Sequence, residues 1–458
     1  MYCPKCGREN PEFAKFCSGC GELLVFSESS KPKNGKRTAV TVLACVFFVI
    51  LTVALIVISS VGSRRDRVTA VTHPDFDTDG SFVLSIKTKK DSPSGYTEIS
   101  TAKDIEKIKD DPDGKYILMD DIEMKDSFET IEEFGGILDG NGYTLSNLKH
   151  TLVYEADGAV VKNLGIECDI NGEEAAVAEY FKNGSVDNCY VDGSVVNEEG
   201  DAAGLVAFAT ASSLKNCCNL ADVTANYDHA AGIVGYICED YLISNCVNYG
   251  EIVNLGEVWT HHAAGIVAAV STSGTVSGCM NSGTVRCIKA DSASERPYEG
   301  THVACGIVGI SKYIDVTVER CVNRGKIEGG DFAFGIAMAW SEHGEDMIVR
   351  DCLNVGEFTI DTSYGIAGQL GPGKVTSVRI ENCVNVSESG DAAISNNSED
   401  IENCYYLDEV RRAVSEGSGK AKKLTSGEMS DKKSFELDFE NVWQMEDGHP
   451  ELGRDSEK

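Results

Sequence analysis

One pair of motifs recurs along most of this chain and constrains its fold more than any other feature. A turn of small and aliphatic residues, Ala-Gly-Ile-Val-Gly at 231–235, is followed by Ser-Asn-Cys-Val-Asn-Tyr-Gly at 244–250, and related pairs occur from 203 to 387. The recurring cysteines are Cys189, Cys217, Cys246, Cys279, Cys321, Cys352, Cys383 and Cys404. Self-similarity at such a period is typical of solenoids and propellers.

The spacing of the repeats favours a solenoid. Successive cysteines lie 28, 29, 33, 42, 31, 31 and 21 residues apart, which indicates coils that tolerate loop insertions. A propeller blade needs four strands, whereas each repeat shows about three short apolar stretches, such as AGIVGYI, LISNCV and EIVNL. We therefore predict a mainly β chain that folds as a right-handed parallel β-helix with one coil per repeat.

In such a coil, equivalent residues stack about 4.7–4.9 Å apart, so the repeated cysteines should form a ladder. Cysteine is a small hydrophobe often found buried, and parallel stacking rarely supplies the torsion of a disulfide, so reduced core thiols are expected. An asparagine stands two residues after six of the cysteines: Asn219, Asn248, Asn281, Asn323, Asn354 and Asn385. We expect these residues to occupy corners with left-handed backbone and to hydrogen-bond along the axis.

The predicted β-helix domain spans 96–440. It begins with an amphipathic cap helix at 101–110, for which Thr101 is the expected N-cap, and a closing segment and tail occupy 441–458. Its Tyr-x-Leu-x-x-Asp-Ile, Leu-Asp-Gly-Asn-Gly-Tyr and Trp-x-Met…Pro-x-Leu pieces lie at 116–122, 138–143 and 443–452. This body resembles the GLUG-motif β-helix domains of bacterial cell-surface proteins. The resemblance implies a surface or adhesin-associated module without one fixed activity.

The first 24 residues contain a cysteine module. Cys3 and Cys6 form one CxxC pair, and Cys17 and Cys20 form a second after a ten-residue gap. Four thiolates converging from two such turns suit a closed, structural Zn²⁺ site, while two disulfides or a redox CxxC are the alternatives. The segment resembles the short zinc ribbons at the N-termini of many bacterial membrane proteins, which implies a cytoplasmic module.

The stretch 38–61 carries no charged residue over 24 positions and predicts a single transmembrane helix, since about 20 apolar residues suffice to span a bilayer. A basic linker (25–37) precedes it and an acidic stalk (62–95) follows. Counting of flanking Lys and Arg favours a cytoplasmic N-terminus. We therefore expect a protein of the bacterial cell membrane whose C-terminal domain is extracellular.

Charge separates the two parts of the chain. Residues 1–71 hold ten Lys/Arg and five Asp/Glu, while the remainder holds 31 and 68. With a formal net charge of −32, the chain is not expected to bind a nucleic-acid backbone.

Two further groups of residues are weaker metal candidates. Asp201, His229 and His262 each stand three residues before the glycine of the turn motif and could stack into one row. Asp75, Asp77 and Asp79 copy the first half of a calcium loop, but Ile86 stands where a bidentate glutamate is expected.

The expected function is non-catalytic binding or adhesion at the cell surface, with a glycan or protein ligand and with oligomeric state left open. A glycan-active enzyme would need clustered carboxylates, or carboxylates beside Lys or Arg, in one groove. Asp139 reads first as a turn residue, and Asp120 and Asp121 have no evident partners. A transmembrane scaffold or sensor acting through the zinc ribbon is the third possibility.

Overall fold

The computed structural model describes residues 90–227, 229–256, 261–288, 301–312, 315–340, 346–371, 377–397, 400–415 and 420–453. The zinc ribbon, the basic linker, the apolar segment 38–61 and the Asp75/Asp77/Asp79 group lie outside these residues. Within them, no helix combines the length and hydrophobicity needed to cross a membrane.

The described part is mainly β, and its strands stack in register as four parallel sheets, which confirms the predicted parallel β-helix. Sheet 1 contains Thr97–Ile99, Lys115–Leu118, Ile137–Asp139, Val160–Lys162, Ser185–Asp187, Ser213–Lys215, Tyr241–Ser244, Gly274–Ser277, Val316–Glu319, Asp346–Arg350, Ser377–Glu381 and Asp400–Glu402. Sheet 2 contains Ile131–Phe134, Val153–Asp157, Ala178–Lys182, Val206–Thr210, Val234–Cys238, Val267–Val270, Val308–Lys312, Ala337–Trp340 and Ala367–Leu370.

Sheets 3 and 4 complete the coils. Sheet 3 contains Ile122–Glu123, Thr144–Leu148, Gly165–Asn171, Tyr190–Asn197, Cys218–Asn219, Asp222–Ala225, Val247–Asn248, Ile252–Asn254, Met280–Asn281, Val285–Cys287, Val322–Asn323, Ile327–Gly329, Leu353–Asn354, Val384–Asn385, Tyr405–Leu407 and Lys422–Leu424. Sheet 4 begins later in the chain and contains Ala202–Ala203, His229–Ala231, His261–Ala264, His302–Cys305, Phe332–Phe334 and Ser363–Tyr364.

Each complete coil has five short strands rather than the three apolar stretches predicted. The stretch AGIVGYI divides at Gly232 into a strand of sheet 4 and a strand of sheet 2. The stretch LISNCV divides at Asn245, which has a φ of 53°. Three apolar stretches were predicted because a one-residue bend inside an apolar run leaves the pattern of hydrophobicity continuous.

The core is built from rows of identical or similar side chains. The eight repeated cysteines are 0–1% exposed, and the thirteen described cysteines are all free thiols. Each repeated thiol lies 3.0–3.4 Å from the carbonyl oxygen two residues earlier, to which it donates. Reduced core thiols were therefore predicted correctly.

The six asparagines form a continuous buried amide ladder. Each side chain is fully buried, and from Asn219 to Asn354 every Nδ2 donates to the Oδ1 of the ladder asparagine in the next coil at 2.8 or 2.9 Å, with Asn385 as the last acceptor. The Nδ2 atoms of the first five also donate to the carbonyl two residues later. The ladder ends where the residue type changes, to Val191 before it and Tyr406 after it.

The expected corner role of these asparagines is wrong. The left-handed residues stand directly before the cysteines, with φ between 49 and 63°: Asn188, Asn216, Asn245, Gly278, Arg320, Asp351, Asn382 and Asn403. The ladder asparagines are absent from this left-handed set because they belong to strands of sheet 3. The side chains of the ladder asparagines form hydrogen bonds in the interior. The asparagines that adopt a positive φ are different residues, which stand directly before the cysteines.

The glycine of each Gly-Ile/Leu-Val motif packs against this ladder. A Cβ on Gly265 would lie 2.3 Å from the carbonyl oxygen of Gly306 and 2.4 Å from Cγ of Asn281. The same contacts recur at Gly204, Gly232, Gly306, Gly335 and Gly365. The two halves of the repeated motif therefore depend on one another, since the amide leaves room for glycine only.

Both ends of the described coils carry additional elements. The predicted cap helix forms as two short helices, Ala102–Ile105 and Lys107–Asp110, which bury Ile105 and Ile108. Thr101 is the N-cap residue, but its hydroxyl donates to the carboxylate of Asp104 instead of accepting a backbone N–H.

The C-terminal elements fold back onto the outside of sheet 3. They comprise the helix Ser426–Met429, the 3₁₀ turn Lys432–Ser434 and the antiparallel hairpin Trp443–Glu446 and His449–Leu452. Trp443 belongs to one buried cluster with Leu353 and Val384, and Glu451 forms an ion pair with Arg324 at 2.6 Å.

We predict that Asn281→Val lowers the free energy of unfolding by roughly 2–3 kcal/mol, because it leaves the Oδ1 of Asn323 buried without its donor and removes the acceptor of Asn248. The matched variant Asn219→Val, at the end of the ladder, breaks one inter-coil bond and should cost about 1 kcal/mol less. Urea unfolding of the full chain, followed by far-UV circular dichroism, measures both. Equal losses would show that the ladder bonds do not determine the cost.

Candidate functional site

The structure places Asp201, His229 and His262 on successive coils, as the spacing predicts. His229 and His262 are directly opposite in sheet 4, and their rings stack with centroids 5.7 Å apart. The carboxylate of Asp201 accepts from the backbone N–H of His229 at 3.0 Å and lies 3.3 Å from its Nδ1. Asp201 therefore positions His229 from the preceding coil.

A second aspartate–histidine pair lies further along the same sheet and was not predicted. Asp331 accepts from the backbone N–H of His302 at 3.1 Å and lies 2.8 Å from its Nδ1. The ring of His302 stacks on that of His261 with centroids 5.1 Å apart. His261, His302 and Asp331 stand four residues before the glycine of the turn motif, one position from the row that the sequence analysis considered.

The four histidines are between 0 and 8% exposed. His261 Nδ1 donates to the carbonyl of Tyr227 at 3.0 Å, which fixes its tautomer. Burial lowers the pKa of His261 to about 4, although this hydrogen bond opposes the shift; the neighbouring His302 adds to it. Among the described residues, no group of three or more His, Cys, Asp or Glu side chains is arranged to hold a metal ion.

The acidic residues considered for catalysis have local structural partners. Asp139 Oδ1 accepts from the backbone N–H of Asn141 and from Nδ2 of Asn163, both at 2.9 Å. Asp121 accepts from the backbone N–H of Thr144 at 2.9 Å. Asn141 in turn binds the backbone N–H and carbonyl of Lys90 at 2.9 and 3.0 Å, so the Asp-Gly-Asn-Gly turn attaches the incoming chain to the first coils.

A recess of about 720 Å³ opens where three consecutive coils pass the corner that precedes sheet 4. Its lining comes from three turns and comprises Phe358, Thr359, Ile360, Asp361, Ser389, Gly390, Asp391, Arg411 and Arg412. The three turns share no sequence motif, so the sequence does not predict the recess. It joins arginines, carboxylates, hydroxyls and apolar side chains in a concave surface of ligand size.

The charged groups of the recess have different roles. Arg412 forms an ion pair with Asp391 at 2.5 Å and donates to the carbonyl of Ser415 at 3.3 Å. Burial alone would raise the pKa of Asp391, but hydrogen bonds from Ser415 and Arg412 lower it. Asp391 is therefore an ionised anchor for Arg412, whereas Asp361 and Arg411 are exposed.

A match at the N-terminus bears on the cysteine module. Residues 2–24 match the zinc-ribbon domain family. The match contains Cys3, Cys6, Cys17 and Cys20, the four predicted Zn²⁺ ligands, whose geometry lies outside the described residues. Two CxxC pairs of this kind supply the four thiolates of a closed structural site.

Several solved structures resemble the chain, including the following two. One is a Bacteroides ovatus protein provisionally described as an immunoglobulin A1 protease, at 13% identity and a TM-score of 0.33, covering 81% of this chain and 95% of that one. The other is described as IgA1 Protease, at 15% identity and a TM-score of 0.34, covering 68% of this chain and 21% of that one. Similarity at this level carries no conclusion about activity. The curated proteins contain no match.

We predict that stability depends on pH through His261. Because its folded pKa of about 4 lies below the ordinary value of 6.5, the unfolded chain takes up the proton first as the pH falls. The free energy of unfolding should have its full value above about pH 6.5 and should fall by about 3 kcal/mol towards pH 4.

Urea titrations between pH 4 and 7.5 measure this effect. His261→Gln keeps a donor for the Tyr227 carbonyl and should flatten the dependence, while His150→Gln, at a half-exposed position, should not. An unchanged slope in His261→Gln would assign the dependence to other groups.

We predict one zinc per molecule of full-length protein, measured by plasma mass spectrometry. The double variant Cys17→Ser/Cys20→Ser should lose it, because two thiolates do not close a tetrahedral site. The β-helix melting temperature should stay unchanged, since the four cysteines belong to a segment that precedes the described coils in the sequence. Cys45→Ser, in the apolar segment, is the control and should retain zinc. Zinc retained by the double variant would contradict the assignment.

Proposed function

We propose that this chain is a membrane-anchored protein that binds a ligand outside the cell with its β-helix, while its zinc ribbon lies in the cytoplasm. The observation that carries the proposal is the recess lined by Phe358, Asp361, Arg411 and their neighbours. Convergent polar groups around an apolar floor are characteristic of binding sites.

Three features of the sequence and one of the structure support the location. The apolar segment 38–61 has the length of a membrane span, and the reducing cytosol would preserve the zinc thiolates. The opening and closing motifs resemble those of GLUG-type surface domains. The chain also enters its first coils at Lys90, where Asn141 holds it, so a stalk would end in a rigid attachment.

A glycan-active enzyme is the second candidate, and one observation favours it. The recess places the exposed carboxylate of Asp361 near two arginines, which is the combination that such chemistry requires. Incubation of the full-length protein with acidic and neutral polysaccharides, followed by a reducing-end assay, tests for cleavage. Cleavage that Asp361→Asn abolishes would replace simple binding by catalysis.

We predict that a membrane-impermeant amine reagent labels Lys433 on intact cells, because its side chain is exposed on the C-terminal elements. Lys5 and Lys15 of the zinc ribbon should be labelled only after lysis, and they serve as the internal control. Mass spectrometry of tryptic peptides reads out all three sites. Labelling of the ribbon on intact cells, with Lys433 protected, would reverse the topology and refute the proposed function.

A further inference from the structure

The recess lies at a basic edge of a strongly acidic protein. Residues 411–433 contain seven Lys/Arg and three Asp/Glu, although the whole chain has a net charge of −32. Lys423 donates to the carbonyls of Asp408 and Arg411, at 3.4 and 3.5 Å, so its ammonium lies beside the turn that forms the recess. Arg411 and Arg412 therefore bring two cations of this basic segment to the recess, where the carboxylates of Asp361 and Asp391 also lie.

The two arginines of the recess are not equivalent. Arg412 is held by Asp391 and by the carbonyl of Ser415. Arg411 is exposed, and no carboxylate among the described residues lies within ion-pair distance of its guanidinium. A planar guanidinium that is not already paired can bind a carboxylate through two parallel hydrogen bonds.

The remaining lining suits a polyhydroxylated ring. Ile360 is half-buried and supplies apolar surface, while Phe358 is 8% exposed and adds little; Thr359 and Asp361 supply exposed hydrogen-bonding groups. Ser389 Oγ accepts from the backbone N–H of Phe358 at 2.9 Å, which fixes the wall of the recess. A sugar ring has an apolar face of C–H groups and a rim of hydroxyls, and this lining offers partners for both.

We propose that the recess binds a carboxylate-bearing sugar of an acidic glycan, with Arg411 as the carboxylate ligand. This inference rests on the proposed function and specifies its ligand class. A recess of about 720 Å³ accommodates one or two sugar rings. Asp361 accepts hydrogen bonds from the sugar hydroxyls, and the ring packs on Ile360.

The test uses the full-length protein in detergent micelles and isothermal titration with D-glucuronic acid and N-acetylneuraminic acid. D-glucose is the neutral probe matched to glucuronic acid, and inorganic phosphate is the anion without a sugar. At least one acidic sugar should bind, and Arg411→Gln should weaken its binding at least tenfold. Arg379→Gln is the matched control, because Arg379 is a half-exposed arginine of sheet 1 that pairs with Glu381, and it should leave binding unchanged.

Several results would overturn the inference. If glucose bound as tightly as glucuronic acid, the carboxylate would not contribute to recognition. If phosphate bound as tightly as the acidic sugar, the sugar ring would not contribute. Equal affinities of Arg411→Gln and the unchanged protein would place the site elsewhere. None of these results contradicts the proposed surface function, because that function is tested separately by the labelling of Lys433.

Discussion

The buried amide ladder is the interaction on which the other features of the β-helix depend. An asparagine without a partner in the interior would cost more than a hydrophobic residue, so each coil must present its amide in register with the next. A slip of one residue would turn every amide to the opposite face of sheet 3. The ladder thus fixes register, and the glycines that face it follow from the space that the amides occupy. The two halves of the repeated motif, the glycine turn and the segment with the ladder asparagine, therefore form one packing unit.

This constraint leaves the chain between ladder residues free to vary. Consecutive ladder bonds join residues that are 29, 33, 42, 31 and 31 positions apart, yet their lengths differ by no more than 0.1 Å. The extra residues of the longer coils fall between strands of different sheets, where the chain turns from one sheet to the next, and they displace no side chain of the ladder. Functional side chains are therefore expected at corners, and the recess near Arg411 is formed by three such turns.

The sequence predicted features that repeat and failed at features that occur once. The parallel coils, the free thiols and the amide ladder follow from residue types that recur at equivalent positions. The division of each apolar stretch at Gly232 or Asn245 did not, because hydrophobicity continues across a one-residue bend. The pair His302–Asp331 was missed because it stands one position from the row three residues before the motif glycine, and the recess joins turns that share no motif. Such sites depend on which corners become neighbours, which only the folded coil shows.

The acidic character of the protein and an anionic ligand are compatible because electrostatic interactions are screened. At physiological ionic strength the Debye length is about 8 Å, so an approaching carboxylate responds mainly to the nearest side chains. At the recess these are Arg411, Arg412, Asp361 and Asp391, with the ammonium of Lys423 beside the turn, and not the carboxylates of distant coils. Lower salt would extend the field of the acidic body and weaken the approach of an acidic sugar, while it would strengthen direct pairing with Arg411. The two effects oppose each other, so the salt dependence of binding reports how local the recognition is.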